Sequence, residues 1–247
     1  MAPFETLNQT LNTGLIALGI GITPSLVWLY FWLKEDKFPE PHKTLFKTFF
    51  YGMLSVPFAI AFQYIVVYLF GFDPKALNIG ELSGVTLFII IFMWALIEEV
   101  VKFVASSEAA LIRKEDDEPI DPVIYMITAA LGFAAVENIL FIISPIFGGD
   151  TVQAIASINM RFIGATLLHI LASGVIGYTI GATFYKKAST QIPIVAIGLC
   201  GAIALHTAFN LLIINDESKM FTAFTAVWIA TIALIIAIEK LKLIKKP

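Results

Sequence analysis

ALIEEVVKF, residues 95–103, decides how this chain is read. It lies inside an apolar run from Val85 to Ile112 built mostly of Leu, Ile, Val, Phe, Ala, Met and Trp. A bilayer core about 30 Å thick takes about 20 residues of helix, so the run is long enough to cross a membrane. Glu98, Glu99 and Lys102 stand at its centre. Each ionisable group near a bilayer midplane costs about 2.5–3.5 kcal/mol on insertion scales, so something must offset that cost.

The rest of the chain has the same character. Of 247 residues, 58% are hydrophobic and 14% charged, with mean hydropathy +0.86. A soluble domain carries about 25% charged residues, which excludes that class here. The apolar residues fall into blocks separated by short charged or Pro/Gly-containing loops, the mark of an all-α, polytopic membrane helix bundle. Seven spans are expected, at 14–33, 49–70, 85–112, 122–143, 162–185, 192–214 and 220–239, forming one domain over 1–247. A net charge of −3, with no strongly basic loop, argues against nucleic acid as a partner. The sole cysteine, Cys200, rules out an intramolecular disulfide. The opening MAPFETLNQTLNTG lacks the basic start of a signal peptide, so the first block is expected to be a retained span.

Loop charges set the orientation. Lys34, Lys37, Lys43, Lys47, Arg113, Lys114, Lys186, Lys187, Lys240, Lys242, Lys245 and Lys246 fall on one side; Lys75, Arg161 and Lys219 fall on the other. The positive-inside rule then places the N-terminus outside and the C-terminus in the cytoplasm. Pro24 and Pro57 lie within spans and are expected to kink them. Asp121 reads as the N-cap of span four, with Pro122 at its first helical position. Gly177 and Gly181, four apart, form a small-residue surface for close helix packing. No internal repeat is evident, which weakens an inverted-repeat transporter reading.

Few strongly polar residues otherwise enter the spans. Glu137 and Asn138 stand in span four, Arg161 and His169 at the start and interior of span five, and His206 and Asn210 in span six. Lys102 is i,i+4 to Glu98 and i,i+3 to Glu99, so either acid can partner it. At about 1.5 Å of rise per residue, Glu98, Glu137, His169 and His206 all come out between the midplane and the outer leaflet. They can meet. Taken singly, each has a plainer role: a structural ion pair, interhelical hydrogen-bond glue, or, for Arg161, an interfacial anchor that could also clamp a carboxylate. Glu108 and the pair Ser106–Ser107 fall near the cytoplasmic end, where contact with water is expected.

The convergence of three acids and two imidazoles on four helices favours chemistry. A buried Glu can deprotonate water. Two His and a carboxylate suit Zn²⁺, whose bound water becomes nucleophilic near neutral pH. An Asn amide can donate to an oxyanion. The set is an inventory for hydrolysis by activated water, and neither a Ser–His–Asp set nor HExxH spacing is present.

These residues also carry a resemblance. EEVVK (98–102) fits EExxK, FAAVE (133–137) fits FxxxE and is followed by Asn138, Arg161 precedes His169, and HTAFN (206–210) fits HxxxN. In this order on successive spans, they resemble the PrsW family of intramembrane proteases, related to the CAAX prenyl proteases. The PEPH segment after span one and the stretch 115–141 are similar to the family too, so the resemblance covers about residues 35–215. It implies a multi-span metallopeptidase, whose best-known members cut a membrane-anchored anti-sigma factor outside the cytoplasm. Two departures stand out. RFIGATLLH lacks a proline found in some relatives, and the CAAX proteases carry His where this chain has Glu137, so ligand assignments do not transfer between them.

The expectation is therefore an integral endopeptidase of a prokaryotic plasma membrane, acting on a membrane-anchored protein within the lipid bilayer. Glu98 or Glu99 is the general base, Glu98 being the first choice by resemblance, and Lys102 pairs with the other acid. His169 and His206, with Glu137 as candidate third ligand, bind Zn²⁺ or, without metal, orient the water. Asn210 contacts the oxyanion or orients His206. The alternatives are a proton- or cation-coupled transporter or channel, and a non-catalytic membrane scaffold.

Overall fold

A computed structural model describes residues 3–112, 116–215 and 217–245. Among these residues every regular element is helical: α1 (Pro3–Trp32), α2 (His42–Leu69), α3 (Gly84–Ser106), α4 (Asp121–Phe147), α5 (Thr151–Met160), α6 (Thr166–Ala182), α7 (Ala188–Asn215) and α8 (Met220–Leu241). Short 3₁₀ turns precede α3 and α8, and π-helical turns follow α3 at Ser107–Leu111 and join α5 to α6 at Arg161–Ala165. Seven segments are long and apolar enough to cross a membrane: Thr10–Trp32, His42–Leu69, Gly84–Leu111, Asp121–Phe147, Thr151–Ala182, Ala188–Ile214 and Met220–Leu241. The protein is an all-α polytopic membrane bundle.

The spans match the hydropathy reading closely except for the fifth, which starts eleven residues earlier than the expected residue 162. Asp150 is the reason. Its side chain accepts the Gln153 backbone N–H at 2.9 Å and caps α5, while Gly149, at φ +78°, supplies the left-handed residue that turns the chain out of α4. A second correction concerns Asp121. It is the first residue of α4 rather than its cap, and its carboxylate accepts the backbone N–H groups of Asp117 and Glu118 at 2.8 and 2.6 Å, so it fastens the preceding turn instead. The helices run through Pro24 and Pro57, as they do through Pro145 and Pro193.

α4 is the axis of the bundle. It packs against α1, α2 and α6 and is buried along most of its length. In a membrane, lipid is as apolar as leucine, so helices associate through close van der Waals fit and interhelical polar contacts. Glycines create that fit. A Cβ on Gly52 of α2 would collide with the Ala129 carbonyl of α4, and one on Gly132 of α4 with the Phe49 carbonyl of α2, so the two backbones touch reciprocally. Gly177 and Gly181 do the same for α6, against Val123 of α4 and Pro119 in the turn before it, as the sequence predicted. Large apolar side chains of α1, α2 and α8, such as Leu15, Phe58, Phe62 and Ile229, are exposed and form the surface that lipid covers.

The two π turns each leave backbone carbonyls without their usual partners, and other helices take them up. Trp28 of α1 and Trp228 of α8 donate their indole N–H groups to the carbonyls of Phe162 and Ile163, both at 3.0 Å. Lys47 Nζ donates to the carbonyls of Glu108 and Ala109 at 3.3 and 3.2 Å. The expectation of a wetted Ser106–Ser107 pair fails for Ser106, which is fully buried at the start of this turn. The lysines assigned to one side by sequence, among them Lys34, Lys43, Lys187 and Lys242, lie where odd spans end and even spans begin; Arg113, Lys114 and Lys246 fall outside the described residues.

Candidate active site

Counting helical rise from the lysine-rich end places the four key residues within about 7 Å of one another in depth. Glu98 is about 20 Å from Leu111, Glu137 about 24 Å from Asp121, His169 about 20 Å from Ala182, and His206 about 27 Å from Ala188. The earlier start of the fifth span leaves this match intact, because its basic end lies close to where it was expected. All four are brought together, on α3, α4, α6 and α7.

The two adjacent acids of α3 have different surroundings. Glu99 is fully enclosed: its Oε1 accepts from Lys102 Nζ at 2.6 Å and faces His206 Nδ1, also at 2.6 Å. Lys102, equally enclosed, reaches on to His169 Nδ1 at 3.0 Å. Sequence spacing left the choice of acid open; Lys102 takes Glu99. Glu98 turns the other way. Its Oε1 accepts the Gln63 amide at 3.0 Å, while its Oε2 has no hydrogen-bond partner among the described residues and lies 3.5 Å from His206 Nε2.

Glu98 lines a cavity of about 540 Å³ together with Glu137, Arg161, His169, His206 and Asn210, whereas Glu99 and Lys102 do not reach it. The walls are apolar, from Ile91, Phe133, Phe141 and Phe209, and the polar floor has room and partners for ordered water. Asn210, one helical turn beyond His206, is partly buried in the same wall.

Arg161 is buried rather than an interfacial anchor. It donates to Glu137 Oε2 at 2.7 Å and to Asn138 Oδ1 at 2.5 Å, with its guanidinium 4.1 Å from the Phe141 ring centre. The π turn that begins at Arg161 rotates it onto α4, a local event that hydropathy does not register. His169 Nε2 stands 2.9 Å from the same Glu137 oxygen. With an ammonium donating to Nδ1, a neutral His169 carries its proton on Nε2 and gives it to Glu137.

The donor chemistry fits a metal ion. Glu98, His169 and His206 each offer one ligand atom, all within 4.8 Å of one another. The His206 Nδ1 proton is directed at Glu99, which leaves the Nε2 lone pair free; a carboxylate behind the ring is the usual support for a metal-binding histidine. Ligation by His169 Nε2 requires its proton to move to Nδ1 and the Lys102 ammonium to turn onto Glu99 alone. Glu137, the expected third ligand, is outside that mutual set of three and sits between Arg161 and His169.

Two cavity side chains with hydrogen-bonding groups escaped sequence reasoning: Gln63, and Trp94, whose buried indole N–H has no partner among the described residues. The only signal for Gln63 was a lone amide in an apolar span.

Comparison with known proteins agrees with this picture. The model of the PrsW family intramembrane metalloprotease matches residues 40–238. Protease PrsW of Oceanobacillus iheyensis is 28% identical over 231 residues, which is 91% of this chain and 94% of that protein. Protease PrsW of Geobacillus kaustophilus is 30% identical over 209 residues, 81% of this chain and 80% of its own. Protease PrsW of Bacillus subtilis is 24% identical over 198 residues, 79% and 82% of the two chains. No solved structure matches. A match over four-fifths of the length, falling on a buried site of acids and histidines in a seven-span bundle, leads to one conclusion: this chain belongs to the PrsW family of intramembrane metalloproteases.

Proposed function

We propose that this membrane peptidase hydrolyses a peptide bond of a membrane-anchored protein with water activated by Glu98. The observation that carries the reading is that Glu98 lines the cavity while its buried Oε2 has no hydrogen-bond partner among the described residues and lies 3.5 Å from His206 Nε2. Every other acid of the site is engaged, Glu99 by Lys102 and His206, and Glu137 by Arg161 and His169. Glu98 Oε2 takes a proton from the attacking water and delivers it to the departing amine nitrogen. Glu99 holds His206 in the tautomer with a free Nε2, and Lys102 pairs with Glu99 from within the same helix. Asn210 donates its amide to the carbonyl oxygen as negative charge develops there. His169 and His206 would hold Zn²⁺, which when bound polarises a carbonyl and makes water acidic near neutral pH; Glu137, outside their mutual set, would join as third ligand only on leaving Arg161.

The whole chain acts as one protease domain, with residues 35–215 as its core. The lysine-rich end faces the cytoplasm and the N-terminus lies outside, because lysine and arginine gather on the cytoplasmic side. The site then sits in the outer half of the bilayer, near the external face of a prokaryotic plasma membrane. Bacterial relatives support that location. Membership of a protease family displaces the transporter reading, and the complete set of acids and histidines opposes the scaffold reading.

Metal content tests the division of labour. Purified Glu98→Gln should retain zinc and lose cleavage, whereas His206→Ala should lose both. Cleavage by Glu98→Gln would overturn its role as base, and loss of zinc from that variant would make Glu98 a ligand.

A further inference from the structure

Gln63 is the one strongly polar side chain of α2 that reaches the cavity, and its cost in an otherwise apolar span calls for a partner. That partner is Glu98. The amide nitrogen faces the carboxylate, since two acceptor oxygens at 3.0 Å would repel. We propose that Gln63 is a positioning residue for proteolysis: it pins Oε1 of Glu98 so that Oε2 stays turned towards His206. The inference rests on the proposed role of Glu98 as base.

Three features favour this over simple interhelical glue. First, the bond divides the carboxylate: one oxygen is held and the other left bare, 3.5 Å from His206 Nε2. Second, the donor is neutral. A lysine or arginine at this place would orient the carboxylate equally well but would form an ion pair with it, as Lys102 does with Glu99, and so weaken it as a base. Third, the surroundings of the bond are closely packed. Val56 and Ala59 of α2, Ile97 of α3 and Phe133 of α4 form one buried apolar cluster, which fixes the separation of α2 and α3 beside the amide. Without the amide, the Glu98 side chain regains rotamers that turn Oε2 away from His206. A base displaced by about 1 Å costs on the order of 100-fold in rate.

The test uses full-length protein in detergent and a fluorogenic peptide built on a bond that wild type cleaves in membranes and Glu98→Gln does not. Gln63→Met keeps the length and removes the donor. It should lower kcat by about 10- to 100-fold with KM within about twofold and thermal unfolding unchanged. Gln63→Asn, which keeps an amide, should retain more of kcat than Gln63→Met. A kcat within about twofold of wild type in Gln63→Met would overturn the inference while leaving Glu98 as base. So would a fall in activity that tracks lost thermal stability in both variants, because that marks a structural bond only. Full activity in the Glu98→Gln control would instead remove the reading on which the inference rests.

Discussion

Replacing Lys102 by Met should expose how much the buried ion pair contributes. Lys102 and Glu99 are both fully enclosed and 2.6 Å apart, and the methionine fills similar volume without charge. Two magnitudes compete. An ordinary interhelical hydrogen bond in a membrane averages about 0.6 kcal/mol and reaches about 1.7. Breaking a buried ion pair by removing one partner costs about 3–5 kcal/mol, because an uncompensated charge is left behind. Glu99 would keep only His206 Nδ1 at 2.6 Å, and its Oε2 already has no partner among the described residues, so the larger figure should win. Unfolding in mixed micelles by titration with SDS measures the loss. The double variant Lys102→Met/Glu99→Gln should be more stable than Lys102→Met by about 1 kcal/mol or more, since it removes the orphaned charge. A loss below about 1 kcal/mol in the single variant, with no recovery in the double, would refute a charged pair at this site.

Other perturbations test other parts of the account. Gly132→Val places a side chain against the Phe49 carbonyl and should separate α2 from α4, costing about 1–3 kcal/mol in the same titration; an unchanged midpoint would contradict the reciprocal contact. Burial, then the charges of Asp121 and Asp117, push Asp116 in the loop before α4 up to about 7 from 3.8. The folded protein therefore holds this proton at pH values where the unfolded chain has released it, so stability falls as pH rises from about 4 to about 7. Asp116→Asn should flatten that fall between about pH 4 and about 7 in thermal unfolding, and a slope identical to wild type would count against it. With Cys200 replaced by Ser, a cysteine at position 75 should react with an impermeant maleimide on intact cells, and one at position 187 only after permeabilisation; the reverse pattern would invert the topology.

The bundle was legible because bilayer thickness forces each span to show as an apolar block, and the charge of successive loops repeats the alternation. Glycine contacts at Gly177 and Gly181 were legible from their spacing. Helix α5 was not: Asp150, Gln153, Ser157 and Asn159 give it the polarity of a loop, and only the cap and the π turn show that it continues into α6. The site's membership followed from depth. Its internal pairing did not, because Glu98 and Glu99 are equally placed for Lys102 along one helix, and the choice is made by His206 from α7. The choice for Arg161 between an interfacial anchor and a carboxylate clamp was open for the same reason: a residue at a span end shows its depth in sequence, but the carboxylate it meets on α4 is a tertiary fact.

The most direct test of the account compares protein N-termini in membranes from cells carrying wild type or Glu98→Gln. Cleavage by a Glu98-activated water in the outer half of the bilayer predicts new termini near the external ends of membrane spans, present with wild type and absent with the variant. Identical profiles, or the same new termini from Glu98→Gln, would contradict it.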